Sequence, residues 1–280
     1  MDTSRLVISR DEQPKVTIPL AEVAVLVVAH PQVVMTQAVL AGVAEQGGIA
    51  VICDGKRMPA AMLMPLAGHF AQGERFALQA KASLPTCKRL WQSLVKAKIR
   101  AQARALADLL GDDAGLPQLA DKVRSGDPSN VEAEASRRYW PALFADPRFR
   151  RDRDGGGPNA LLNYGYAVLR AIVARAVCAA GLHPSLGLQH HNRYDAFRLA
   201  DDLMEPFRPI VDRAVVTHCA RRGLAASLDK EAKAALIGSL MGRFSLGKES
   251  RSLFDIAGRT AVSLTAVFSG RRRTLVLPEL

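Results

Sequence analysis

The stretch TCKRLWQSLVKAKIRAQARALADLL, beginning at Thr86, sets Leu90, Trp91, Leu94, Val95, Leu106 and Leu109 at helical spacing and leaves Lys96, Arg100 and Arg104 for another face. A long helix with one apolar face and one basic face needs other elements to cover the apolar one. Periodicity supplies them further on, as helices expected at about 118–125, 130–144, 158–182, 196–222, 229–246 and 250–268. Apolar residues make up 49 % of the chain and aromatics only 5 %, so Ala, Leu and Val must build the core, which favours packed helices over a sandwich. Upstream the character differs. RLVISR, KVTIPL and EVAVLVVA read as short strands, VVMTQAVLAGVAEQGG as a helix closed by glycines, and IAVICDG as another strand with its own turn. The expected fold is α+β and mainly α, with a small N-terminal β-rich domain over 1–72, a linker over 73–86 and a larger α-helical domain over 87–280.

The formal charge is +11 and the pI about 9.9, an excess that concentrates polyanions around the chain. Candidates for gripping a nucleic-acid backbone are Lys96, Arg100 and Arg104 on the long helix, Arg137 and Arg138 in SRRYW, and Arg148, Arg150 and Arg151 in FADPRFRRDRDGGGPN. That last stretch is charged and glycine-rich, hence read as a mobile loop, and its interspersed Asp146, Asp152 and Asp154 equally suit a run that is merely solvated. Tyr139, Tyr164 and Tyr166 could stack at frayed DNA ends, the alternative being packed aromatics. The tail SGRRRTLVLPEL adds a basic cluster and a short apolar extension, read as a strand or a docking peptide.

Cys53, Cys87, Cys178 and Cys219 form no C-x-x-C pair, so neither a zinc knuckle nor a disulfide framework is indicated, and reduced thiols in the cytoplasm are expected. The start MDTSRLVISRDEQPK has no apolar signal core, and VAVLVVA is too short to cross a bilayer, so no membrane partner is expected. The absence of a G-x-G-x-x-G or Walker loop disfavours a nucleotide-driven motor, and no G-x-S-x-G elbow is present.

The chemistry concentrates in LGLQHHNRYDAFRLADDLMEPFRPIVD, residues 186–212, which places Asp201, Asp202 and Glu205 among apolar residues and then interrupts itself with Pro206 and Pro209. On a helix, Asp202 and Glu205 or Asp201 and Glu205 share a face. Two such carboxylates repel unless a cation joins them. Arg198 and Arg208 would make an ion-pair network, whereas a divalent metal would take the carboxylate oxygens and an imidazole from the loop carrying His190 and His191. Mixed carboxylate and histidine ligation suits Mg²⁺ or Mn²⁺ better than structural zinc. A further carboxylate is offered by SGDPSNVEAEASRRYW, where Ser129 and Glu132 have the capping-box spacing that would divert Glu132 to backbone N–H groups, and Glu134 reads as a surface charge.

Taken in order, IPLAEVAVLVV, ICDGKRMPAAMLMPL, LWQSLVKAKIRAQA, SGDPSNVEAEASRRYWPALF and NALLNYGYAVLRAIVARAVCAAGLHPSLGLQHHNRYDAFRLADDLMEPFRPIVD resemble one family over nearly the whole chain, the CRISPR-associated integrases of spacer acquisition, the Cas1 family. NRYDAFRLADDLMEPFRP looks most like the type II branch. The resemblance implies a β-rich first domain and an α-helical catalytic domain. It implies a metal-dependent integrase and endonuclease that joins 3′-hydroxyl ends of captured DNA to a CRISPR repeat by transesterification. Carried over residue by residue, it makes Glu132 (in N-x-E, after Asn130), His190 (in G-x-x-H, after Gly187) and Glu205 (in D-x-x-E, after Asp202) the catalytic metal ligands, with Asp202 as an accessory acid and His191 only a neighbour. Implied partners are double-stranded DNA, a second copy of the chain, the small adaptation protein Cas2 in a heterohexamer, and the type II effector. A non-catalytic DNA-binding scaffold of the same fold and a structure-selective repair nuclease are the alternatives. Members of that branch usually carry a further strand or hairpin ahead of the segment matching RLVISR, where this chain has four residues, so a weaker β-domain edge or a later start is expected.

Overall fold

In a computed structural model the protein is described over residues 5–10, 13–55, 59–190 and 192–280; His191 lies outside the described residues. The first strands, β1 (Arg5–Arg10) and β2 (Gln13–Pro19), pair antiparallel with Leu6 opposite Ile18 and Ile8 opposite Val16. Alternation sends Leu6 inward against Leu20 and Val43 while Val7 stays exposed. After a 3₁₀ turn, β3 (Val25–Val28) crosses through α1 (Gln37–Glu45) to run parallel to β4 (Ile49–Cys53), and β5 (Pro59–Leu63) closes the sheet antiparallel to β4. The central strand β4 is buried, which its unbroken Ile-Ala-Val-Ile composition anticipates. Strand β5 is absent from the sequence reading, because Pro-Ala-Ala-Met-Leu lacks β-branched residues.

Residues 72–80 form a helix, α2 (Gln72–Ala80), where a linker was expected. The long helix α3 (Leu84–Leu110) follows, with Pro85 in its first turn and Gly111 stopping it at φ 76°. Then come α4 (Leu116–Lys122), α5 (Val131–Leu143), α6 (Pro158–Ala179), α7 (Arg198–Met204), a 3₁₀ turn (Glu205–Phe207), α8 (Arg208–Arg222), α9 (Lys230–Leu240) and α10 (Leu253–Phe268). The expected helix over 229–246 is cut short: it stops at Leu240, and Gly242 leads into a hairpin of β6 (Arg243–Leu246) and β7 (Glu249–Ser252). Gly247 turns it with φ 59°, and Arg-Phe-Ser-Leu alternates with strand rather than helix period.

Helix α6 is the centre of the molecule. It is long and apolar enough to cross a bilayer, yet 78 % of that apolar window is buried inside the fold, as suits a core helix covered on all sides. Gly165 lets α8 approach it, since a Cβ there would stand 2.4 Å from Val211 Cγ1. Leu90, Leu94, Leu106, Leu161, Leu169, Phe207 and Val211 belong to one buried cluster, and Ile49 and Val51 of β4 join it. The C-terminal tail forms no strand; Leu275 is buried in the same cluster, Leu277 and Leu280 pack on it, and Val276 exchanges hydrogen bonds with Thr260 and Ser263 of α10.

Candidate active site

Three separate segments bring Glu132, His190 and Glu205 to one cleft of about 440 Å³, whose walls also carry Lys98, Gln102, Arg137, Arg150, Arg151, Arg153, Tyr166, Arg208 and Asp212. Each acid or base arrives by a local device. Glu132 is the second residue of α5, and its role as a cap is taken by another group: the Asp127 carboxylate accepts from Val131 N at 2.9 Å and Glu132 N at 3.0 Å. The chain turns into α5 through Asn130 at φ 51°, a conformation asparagine tolerates. The capping-box reading of Ser129 and Glu132 therefore fails, and the Glu132 side chain is left for the cleft.

Glu205 opens the 3₁₀ turn between α7 and α8. Pro206 has no N–H and crowds the preceding turn, so the α-helical ladder breaks there, and Pro209 sits harmlessly in the first turn of α8. The two prolines that interrupt the acidic stretch thus place Glu205 at a break between helices. Its carboxylate is 2.9 Å from Arg208 Nε and 2.6 Å from Lys98 Nζ. Burial pushes this acid up, but Arg208 and Lys98 more than offset that and hold it at about 2.

His190 lies in the loop between α6 and α7, and the neighbouring acid fixes it. Asp202, wholly buried, takes His190 Nδ1 at 2.6 Å and also accepts from Leu188 N and Gln189 N. Gly187 is needed in that loop because a Cβ there would meet Arg198 Cβ at 2.8 Å and Asp202 Oδ2 at 3.0 Å. Trp91 of α3 packs edge-on against the imidazole, ring centroids 5.7 Å apart. The hydrogen bond from Asp202 raises the proton affinity of His190, against the effect of burial. With Nδ1 tied to Asp202, Nε2 is the nitrogen left for a ligand. Asp202, expected as an accessory acid, is engaged with this loop and with the imidazole through both carboxylate oxygens. Further back, the buried Gln79 of α2 donates to His183 O and Leu186 O and accepts from His183 N, clamping the base of the same loop.

Arg208 pairs with Glu205 as the sequence reading allowed, but the acids also find cations that it did not name. Asp201 forms a two-pronged pair with Arg170 of α6, at 2.5 and 2.7 Å, and Arg198, expected to neutralise it, keeps a buried Nε with no hydrogen-bond partner. Lys98 Nζ stands 2.6 Å from both Glu132 and Glu205 and bridges them. Among the described residues no three His, Cys, Asp or Glu side chains stand close enough together to hold a metal ion, and the bridging ammonium gives the physical reason. The donor chemistry nevertheless fits a hard divalent cation: two carboxylates already share one cation, the buried Glu205 Oε2 has no aligned hydrogen-bond donor, and an imidazole nitrogen faces the same cleft.

Of the basic residues expected to bind nucleic acid, Arg137, Arg150 and Arg151 line the cleft; Lys96, Arg100, Arg104, Arg138 and Arg148 do not. Arg100 pairs with Asp121, Arg138 with Glu134 and Arg148 with Asp146, while Arg104 donates to the Leu280 carbonyl. The loop carrying Arg148–Arg153 is irregular, as expected, but Asn159 and Asn163 of α6 tie it down through the Arg150 and Arg153 carbonyls and the Arg151 guanidinium. Of the two readings of the tyrosines, burial matches packed aromatics: Tyr164 is 1 % exposed beneath Lys233, and Tyr139 is wholly enclosed. Tyr139 and Tyr166 both donate to Asp212. Burial raises that carboxyl to about 6, although the two phenols partly counter it. Lys98 and Gln102 were legible in one respect: they continue the i, i+4 stripe Leu90, Leu94, Lys98, Gln102, Leu106, where polar residues on a buried face call for a partner.

Against this geometry, a family model described as CRISPR associated protein Cas1 matches residues 1–241. A CRISPR-associated endonuclease Cas1 of Neisseria meningitidis serogroup C is 37 % identical over 268 residues, 94 % of this chain and 87 % of the relative. A CRISPR-associated endonuclease Cas1 of Archaeoglobus fulgidus is 35 % identical over 188 residues, 59 % of this chain and 53 % of its own. Among solved structures, a casposase bound to integration product superposes with TM-score 0.79 at 18 % identity, covering 98 % of this chain and 89 % of the casposase. A CAS1 protein from Thermotoga maritima gives 0.75 at 16 % identity, covering 97 % and 94 %. At these identities the structural likenesses establish the fold.

Proposed function

The chain belongs to the CRISPR-associated Cas1 family, and we propose that it is the divalent-metal-dependent integrase and endonuclease of CRISPR adaptation. The observation that carries the proposal is the convergence of Glu132, His190 and Glu205, from three segments, in one cleft walled by Arg137, Arg150, Arg151, Arg153 and Arg208. The relatives' name, CRISPR-associated endonuclease, and the casposase bound to its integration product support the same chemistry.

In the proposed reaction the 3′-hydroxyl oxygen of a captured DNA end bonds to a repeat phosphorus, the bond from that phosphorus to its bridging 3′-oxygen breaks, and the released oxygen takes up a proton. Glu132, Glu205 and His190 Nε2 would hold Mg²⁺ or Mn²⁺, which when bound supplies charge for the phosphoryl group and lowers the pKa of a hydroxyl. Asp202 holds the imidazole by Nδ1 and leaves Nε2 as the nitrogen free for a ligand. The arginines along the walls grip DNA phosphates without reading sequence. The proposed assembly is cytoplasmic: two homodimers flank a dimer of Cas2, a partner named in a solved complex containing a chain of this fold, and the type II effector is a further proposed partner.

The test is strand transfer of a labelled duplex with free 3′-hydroxyls into a supercoiled plasmid carrying a leader and repeat, with Mn²⁺ or Mg²⁺ and with or without Cas2. Joined product from wild type, absent from Glu132→Gln that still binds DNA, supports the integrase. The salt-bridged state of Lys98, Glu132 and Glu205 favours one second reading, a DNA-binding scaffold of the same fold whose acids are satisfied internally. Tight DNA binding with no joined product under either metal would select it.

A further inference from the structure

The ammonium of Lys98 occupies the place between Glu132 and Glu205 that a divalent cation would take. Lys98 is buried on α3, so its stem is fixed by packing and only its head is free to re-aim within the cleft. One turn further along the same face stands Gln102, 2 % exposed, its Oε1 buried and without a hydrogen-bond partner. A buried carbonyl without a donor is unfavourable, and a native fold that keeps one has a use for it. Residues four apart on a helix are neighbours, so this carbonyl is within reach of a re-aimed Lys98.

We propose that Lys98 is a further catalytic residue: a cation entering the carboxylate pair displaces its ammonium toward Gln102 Oε1, from where it donates a hydrogen bond to a non-bridging oxygen of the DNA phosphate in the cleft. The inference rests on the reading of Glu132 and Glu205 as metal ligands. Like charges cannot share the carboxylates, and the displaced ammonium needs a new acceptor in a buried place. Gln102 supplies the neutral one and the substrate phosphate the anionic one. Lys98 neither gains nor loses a proton in the exchange; it changes partners.

The two residues therefore act on metal affinity with opposite signs. Calorimetric titration of Mn²⁺ alone into the full chain is expected to show Lys98→Met binding about tenfold tighter than wild type, because the ion to be displaced is gone. Gln102→Met is expected to bind several-fold more weakly, because the displaced ammonium has lost its acceptor, and the double variant to behave as Lys98→Met does. At saturating Mn²⁺, Lys98→Met should transfer strands about 100-fold more slowly, the loss typical of a donor aimed at developing charge. Its melting temperature should fall in EDTA and recover with Mn²⁺, whereas Gln102→Met keeps its melting temperature and so tests the exchange without risk to the fold.

A Lys98→Met protein that binds Mn²⁺ no more tightly than wild type, or a Gln102→Met protein that loses no affinity, overturns the exchange. Tighter Mn²⁺ binding with strand transfer unchanged overturns the catalytic role and leaves a mere counter-ion. If wild type takes up no Mn²⁺ while Glu132→Gln matches it, the metal reading of the site falls and this proposal with it; the preceding outcomes sink this proposal alone.

Discussion

At the scale of single residues, the site is governed by which charge each side chain is given as its partner. Asp202 raises the proton affinity of His190, so the imidazole holds its proton to a higher pH than an ordinary histidine and the ligand nitrogen is blocked further up the scale. Strand transfer should thus fail on acidification above pH 6.5, the usual histidine range. Asp202→Asn should move that acid limb to lower pH while slowing the plateau rate by about 10–100-fold. A pH–rate profile at saturating Mn²⁺ and an NMR titration of His190 would measure the two effects separately. Asp212 acts on stability. Its folded-state pKa of about 6 exceeds the ordinary 3.8, so the native state binds this proton more tightly than the unfolded chain does. Its contribution is fully present below the ordinary value and is lost as pH rises through 6, by roughly 3 kcal/mol. Asp212→Asn should remove that slope, read from denaturant melts between pH 4 and pH 7.5; a slope that persists in the variant refutes the assignment.

At the scale of elements, helix ends and breaks aim the chemistry. Asp127 caps α5 and frees Glu132, so Asp127→Ala should cost about 0.5–2 kcal/mol in chemical denaturation and should also lower strand transfer, since Glu132 can then fold back on its own N-terminus. Gln79 ties α2 to the loop that carries His190. Gln79→Leu leaves His183 N and Leu186 O without partners and His183 O with Leu186 N alone, and hydrogen exchange of residues 183–190 should accelerate by about tenfold or more while α6 stays protected. Equal protection in both proteins would remove α2 from the positioning of the loop. Most helices were legible in sequence: α3, α5, α6 and α10 fall where apolar spacing puts them, whereas the single helix expected over 196–222 is broken at Pro206 into α7, a 3₁₀ turn and α8. The β6–β7 hairpin and α2 were not. The first is a short strand pair beside glycines, and the second is a short amphipathic helix of nine residues inside what read as connecting chain.

At the scale of the whole molecule, charge becomes a binding surface only where the fold leaves it unspent. The net +11 is distributed between arginines that pair at the surface, such as Arg100 with Asp121, and arginines that face the cleft. Arg137→Ala should lower the slope of log affinity against log salt for duplex DNA by about 0.9, one phosphate contact, while Arg100→Ala should leave it unchanged. Fluorescence anisotropy from low to moderate salt would measure both, and an equal loss in the two variants would mean that charge acts through the net total alone.

The sequence by itself determined the class of fold, because apolar periodicity is a local property that short windows preserve; Glu132, His190 and Glu205 came as candidates from its resemblance to the Cas1 family, since local spacing alone read Glu132 as a cap and did not separate His190 from His191. It also held the clue to Lys98 and Gln102, polar residues on the apolar stripe of α3, without saying what they meet. Only the tertiary structure decided the partners: that Arg170 rather than Arg198 holds Asp201, that Asp202 orients His190, that Asp127 rather than Glu132 caps α5, and that Tyr164 is buried. Such pairings join residues far apart in the chain, 31 positions for Arg170 and Asp201 and 104 for Gln79 and His183, and depend on how α3, α5, α6 and α7 pack around one core. Ion pairs act over a few ångströms in space, and distance in space is what a linear sequence does not carry.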